Sequence, residues 1–91
     1  MTKDELRDLI HKHGEAIITY RSQESRKLKY NVCTLDFDNK YIQQKQNRAK
    51  ESDDTLLCFC WDVDAYRLLR AVDVTSVVSL QNALKEGSRE R

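Results

Sequence analysis

Thr55 to Trp61, TLLCFCW, is apolar on both faces, and that run restricts the fold more than any other segment. A strand with no polar side must be covered above and below, so it is expected as the central strand of a sheet. The chain that supplies this cover has 91 residues, enough for one small domain. At this size only somewhat more than about 60% of the unfolded surface is buried, so the core is small. The chain has no proline, no repeat and no linker. A multi-domain organisation and a large enzyme with an extended cleft are therefore excluded.

Thr2 followed by Glu5 is a capping box, and Leu6, Leu9, Ile10 and His13 recur at helical spacing. Gly14 supplies the stop, so a helix is expected over residues 3–13. It is marginal alone and needs a sheet to pack on. Ala16 to Tyr20 is β-branched and aromatic, a strand by composition. Ser22 to Ser25 reads as a polar turn. In Lys27 to Leu35 the residues Leu28, Tyr30 and Val32 alternate with Lys29, Asn31 and Cys33, which suits a half-buried strand.

Asp36, Asp38 and Asn39 make a turn around Phe37, and Lys40 to Lys45 reads as a weaker third strand. Gln46 to Asp54 is expected as an exposed loop whose acids Glu51, Asp53 and Asp54 are solvated. After the apolar run, Asp62 to Ala65 forms a tight turn. Tyr66 to Val72 is the next strand, with Arg67 and Leu69 on one face and Tyr66, Leu68 and Arg70 on the other. Val77 to Leu80 closes the sheet or begins a last helix, and residues 86–91 form a polar, frayed tail. The fold class is α+β: a helix on a small, strongly bent antiparallel sheet of five or six strands, curled into a barrel over residues 16–80.

Sixteen Lys and Arg balance fifteen Asp and Glu, for a formal charge of +1 with His neutral. That excludes a uniformly basic histone-like surface and an acidic nucleic-acid mimic. The charge is nevertheless segregated. Arg21 to Lys29 holds four cations and one acid, Lys40 to Lys50 four cations and no acid, and Glu51 to Asp64 five acids and no base. The start, MTKDELRDLI, lacks the basic and apolar stretches of an export signal, and no apolar run approaches a membrane span. A cytoplasmic chain with reduced thiols is expected, and the odd count of three cysteines fits it.

Cys58 and Cys60, two apart on a strand, share a face and read as small core residues. A metal site from Cys33, Cys58, Cys60 and His11 or His13 lacks zinc-knuckle spacing, and no cofactor is implied. His11 and His13 point to different sides of the helix and read as surface or boundary residues. Asp62 and Asp64 read as turn residues, because a metal-dependent nuclease wants further converging carboxylates. Trp61, Phe59 and Leu57 share a strand face and read as core. With no Gly-rich phosphate loop, G-x-S-x-G or H-E-x-x-H, no enzyme is expected.

The informative pattern is cations interleaved with tyrosines: Tyr20, Arg21, Arg26, Lys27, Lys29, Tyr30, Lys40, Tyr41, Tyr66, Arg67 and Arg70. Cations neutralise phosphates and release counterions, while aromatic rings offer bases a stacking surface. The ordinary alternative is a solvated cationic face with tyrosines half-buried in the core.

LLCFCWDVDAYRLLRAVDVTSV, Leu56 to Val77, resembles the end of a WYL domain, the small SH3- or Sm-like barrel of bacterial transcription regulators. Tyr66-Arg67-Leu68-Leu69-Arg70 stands where that family has Y-R-x-F-R. Val72-Asp73-Val74-Thr75-Ser76-Val77 stands where it has a D-R-I-x-x-V-like turn. Upstream, the helix Leu6–His13 and Ala16-Ile17-Ile18-Thr19-Tyr20-Arg21 are similar to the family's opening helix and strand ending in Y-R, with Arg26 and Lys27 near the basic start of its second strand. The W-Y-L triplet itself corresponds at best to Thr55-Leu56-Leu57 or Lys40-Tyr41-Ile42.

The resemblance implies a bacterial or phage regulatory domain that binds nucleic acid or a nucleotide-like ligand. Its site would lie at Tyr20, Arg21, Arg26, Arg67 and Arg70. The wider cation–tyrosine pattern adds Lys27, Lys29 and Tyr41, with Tyr20 or Tyr41 stacking on a base. The rival expectation is a protein-interaction module that modifies a partner complex through its sheet edges or its charge asymmetry. No membrane partner is implied, and the oligomeric state is left open.

Overall fold

The computed structural model describes residues 1–43 and 49–89. Helix α1 runs Lys3–His13. Thr2 caps it: its hydroxyl accepts from the Glu5 N–H at 3.2 Å, and Glu5 returns a bond to the Thr2 N–H at 3.1 Å. Gly14 ends it at φ +76°, a conformation that β-carbons disfavour, and its N–H donates to the Ile10 carbonyl at 2.8 Å. Leu6 and Ile10, one turn apart, are fully buried.

Five strands follow: β1 Glu15–Arg21, β2 Leu28–Thr34, β3 Thr55–Cys60, β4 Ala65–Arg70 and β5 Val74–Ser79. They form one antiparallel sheet in the order β4-β3-β2-β1-β5. A 3₁₀ turn, Ala71–Asp73, joins β4 to β5, and helix α2, Leu80–Arg89, follows directly on β5. The last segment thus completes the sheet and also begins a helix. That helix takes in residues 86–89, which the sequence places in a frayed tail.

Two expectations about strands are corrected. The apolar run forms β3, second from one end of the sheet, and β2 takes the central place. Both faces of β3 are still covered. Leu56, Cys58 and Cys60 join Leu6, Ile10, Ala16, Ile18, Cys33, Leu69 and Ala71 under α1. On the other face Phe59 is 1% exposed, between Trp61 and Tyr66 in edge-to-face contacts at 5.0 and 5.1 Å. The weaker strand at Lys40 to Lys45 is absent over residues 40–43, and Gln44 and Lys45 lie outside the described residues. Lys40 and Tyr41 turn instead, with the Tyr41 N–H on Asn39 Oδ1 at 2.9 Å, and this tucks Ile42 into the interior.

The β2 strand is turned over relative to its hydropathy. Asn31 and Cys33 are buried, whereas Leu28 and Tyr30 are 56% and 65% exposed. Hydrogen bonding explains the inversion. The Tyr20 hydroxyl donates to Asn31 Oδ1 at 2.7 Å, and Asn31 Nδ2 donates to Asp62 at 2.9 Å, so the buried amide is satisfied at both ends.

The sheet is strongly rolled but open. Arg70 pairs with Thr55 at one end of β4, and Val74 pairs with Tyr20 at the far end of β1, yet three residues connect them. Only a curled sheet brings those ends together. A bulge assists, because the register steps from Thr19↔Ser76 to Tyr20↔Val74 and leaves Thr75 as the extra residue. The expected closure into a barrel is not completed, since β4 and β5 stand as the two ends of the sheet. The β2–β3 seam pairs only Cys33 with Cys60 and Thr34 with Phe59, so the strands diverge beyond it.

Candidate anion-binding depression

The roll folds the β1–β2 hairpin towards the end of β4. Between them lies a depression of about 330 Å³ lined by Tyr20, Arg21, Lys29, Arg67 and Arg70, with Ser22, Gln23, Glu24 and Asp73 on its rim. A second depression of about 260 Å³ adjoins it and shares Arg21, Ser22, Gln23, Arg70 and Asp73, adding Arg26. Six of the eight residues singled out from the sequence therefore line one continuous hollow. Lys27 and Tyr41 do not. Tyr41 is 70% exposed elsewhere, with the Lys40 ammonium 5.1 Å from its ring centre.

Each cation is positioned differently. Arg21, the last residue of β1, donates from Nη1 to the Arg26 carbonyl at 2.7 Å across the hairpin. Arg26 sits at φ +60°, a left-handed corner that a non-glycine residue seldom occupies, and its N–H donates to the Ser22 carbonyl at 2.8 Å. Arg67 and Lys29 project from the α1 face of β4 and β2, as the register with Cys58 and with Tyr20 requires. Among the described residues neither enters an ion pair, nor do Arg21 and Arg26.

Arg70 is held. Its Nε lies 3.3 Å from Asp73 Oδ2, and the Gln23 amide oxygen, turned to face the guanidinium, accepts from Nε and Nη2 at 3.1 Å. This arginine closes the hollow by joining the hairpin to β4, and its charge is answered in part by Asp73. The other carboxylate on the rim is Glu24. Four cations face two carboxylates in the larger hollow, so an excess of positive potential remains there.

Tyr20 follows the ordinary alternative of a tyrosine half-buried in the core. Its ring packs on the core and its hydroxyl is committed to Asn31, so it serves as wall and strut rather than as a free stacking platform. Burial raises its pKa, with the Arg67 charge opposing, which keeps the phenol protonated and donating. The hollow is consequently suited to charge and hydrogen bonding more than to base stacking. Arginine forks grip phosphate oxygens bidentately.

The cysteines are interior. Cys33 Sγ lies 3.4 Å from Cys60 Sγ across the β2–β3 seam, and Cys58 is buried beside them. Hydrogen bonding to Cys58, with burial adding to it, raises the Cys33 pKa; hydrogen bonding to Cys33, then burial, raises that of Cys60. Among the described residues no group of three His, Cys, Asp or Glu side chains is arranged to hold a metal ion. Asp64 occupies a left-handed turn position at φ +52°, and Asp62 is spent on β2. Among the described residues, no helix is long and apolar enough to cross a membrane.

The sequence reading missed Glu51. Placed among solvated acids, it instead accepts from the Leu57 N–H at 2.7 Å and lies 3.3 Å from Lys3 Nζ and 3.6 Å from Arg7 Nη2, fastening α1 to β3. No local pattern marks such a residue, since its partners lie 6 to 48 positions away in the sequence. No protein-family model matches this chain, and no curated protein and no solved structure matches it either.

Proposed function

We propose that this chain is a non-enzymatic regulatory domain, of bacterial or phage origin, that binds nucleic acid or a nucleotide-like ligand through the phosphates. The observation that carries the reading is the shared hollow. Tyr20, Arg21 and Lys29 from the first hairpin meet Arg67 and Arg70 from β4, with Arg26 adjoining. The larger depression, about 330 Å³, is at the lower end of the range for small-ligand sites and is open enough for a segment of phosphate backbone. Arg21, Lys29 and Arg67, which enter no ion pair among the described residues, are the first contacts. Arg70 joins them where a phosphate competes with Asp73 for its guanidinium.

The finer fold reading belongs to the same proposal: a WYL-like, SH3/Sm-type barrel with a ligand site at its mouth. The meander β1 to β4, the 3₁₀ turn and the return of β5 to β1 support it. Fluorescence anisotropy tests the function, with a labelled single-stranded oligonucleotide and a labelled nucleoside triphosphate as probes. The Arg67→Ala, Arg70→Ala pair is expected to abolish binding of at least one probe with circular dichroism unchanged. Unaltered affinity would refute the reading.

A further inference from the structure

Beyond the hollow, the central strand carries a second feature. Val32 offers both backbone groups to the β3 side: its carbonyl accepts from the Trp61 N–H at 2.7 Å, and its N–H donates to Asp62 Oδ1 at 3.0 Å. The β1–β2 register runs without a shift from Glu15↔Thr34 to Arg21↔Leu28. In an antiparallel ladder alternate residues point the same way, so the N–H and C=O of Tyr30 and Leu28 also face away from β1. The hairpin agrees, because Ser22 and Lys27 are hydrogen-bonded across it, which makes Leu28 outward-facing again.

On that side β3 has already ended. Its ladder with β2 stops at Cys60, and the chain turns at Trp61 to Asp64. Leu28 to Tyr30 is therefore an open edge in the middle of the sheet order, with no backbone partner on its outer side among the described residues. The side chains above it are apolar and exposed, Leu28 at 56% and Tyr30 at 65%. Those around it are cationic: Arg26, Lys27 and Lys29 are all exposed. Asp62 caps the next donor, Val32, and so fixes where the opening ends.

We propose that this edge takes up an extended acidic peptide as an added strand. Unpaired backbone donors and acceptors on an edge are a template for β-augmentation. Alternation then sets the partner's pattern, with an apolar residue against Leu28 and Tyr30 and an acidic one on the Lys29 side. A second copy of this chain does not fit, since pairing the same edges about a two-fold axis sets Lys29 and its neighbours against themselves. This interface shares Lys29 with the hollow, but its backbone pairing along Leu28 to Tyr30 does not rest on the phosphate reading and is tested separately.

The test is an amide-resolved NMR titration of the full chain with the blocked hexapeptide Glu-Val-Glu-Val-Glu-Val and with its Lys-Val counterpart. The acidic peptide is expected to shift the Leu28 and Tyr30 amides and slow their exchange, while the basic one leaves them unmoved. Leu28→Glu, at an exposed site, is expected to weaken the acidic peptide about tenfold without lowering the melting temperature, because it replaces the apolar contact to valine with a carboxylate and adds negative charge to the edge. Tyr30→Pro removes one donor and is expected to weaken it similarly, proline being tolerated on an edge. Shifts confined to the Arg67 and Arg70 amides, equal response to both peptides, or protection of Leu28 and Tyr30 by decathymidylate instead of peptide would each overturn the proposal.

Discussion

The Asp62 carboxylate receives the Val32 N–H at 3.0 Å, in the place where a longer β3 would have put a carbonyl. Its second oxygen receives Asn31 Nδ2 at 2.9 Å, which in turn lets Asn31 Oδ1 accept from Tyr20. One turn aspartate thus supports the inward amide of β2, and through it the wall of the hollow. Asp62→Ala leaves the buried Asn31 amide short of a partner. We expect a loss of about 1–3 kcal/mol in urea unfolding, at the cost of an unsatisfied polar group. An unchanged midpoint would remove Asp62 from the framework.

The element order was largely legible, and the reasons differ by segment. The Thr2–Glu5 box and Gly14 set the bounds of α1 by local hydrogen bonding and backbone freedom, both of which sequence displays. The TLLCFCW run showed a doubly covered strand but not its position, because strand order depends on how far each ladder extends, and the β2–β3 ladder is short. Asn31 deceived the alternation in β2, since its burial rests on partners at positions 20 and 62. The arginines of the site were visible as a composition. Their meeting was not, because it depends on a roll produced by the Thr75 bulge and a three-residue connection.

Glu51 makes stability depend on pH in a stated direction. The bond from the Leu57 N–H, with Lys3 and Arg7 adding to it, holds its carboxyl below the ordinary value of 4.5. A lowered folded-state pKa stabilises above the unfolded value and is lost as pH falls through the folded one. Glu5 behaves likewise through its bond to Thr2. Because Glu51 is about one-third exposed, solvent screening keeps its share modest. Thermal melts from pH 7 to pH 3 are expected to show the wild type losing more stability below about pH 4.5 than Glu51→Gln does. Parallel curves would show that the Glu51 carboxylate fastens nothing.

The three thiols are expected to be silent in the folded chain. Cys33, Cys58 and Cys60 are 0% exposed, and the pKa values of Cys33 and Cys60 are raised, so thiolate is scarce and reagents are kept out. A chromogenic disulfide reagent at mildly alkaline pH should therefore report no fast thiol in the native chain and all three in guanidinium chloride. A fast native thiol would show that the β2–β3 seam opens on the timescale of the assay.

Salt separates phosphate contact from other modes of binding. With Arg21, Lys29 and Arg67 in no ion pair among the described residues and Arg70 in competition with Asp73, a single-stranded ligand bound as proposed would meet three or four cations in the hollow. Counterion release then gives a slope of log affinity against log salt of about −2 to −3, or roughly a 16- to 64-fold loss between about 50 and 200 mM. Arg67→Ala should reduce the slope by about 0.7, one phosphate's worth on a single strand. Arg70→Ala should change it less, because Asp73 already answers part of that charge. A flat salt profile in anisotropy titrations, or equal slopes for wild type and Arg67→Ala, would mean that the hollow is not where the phosphates sit.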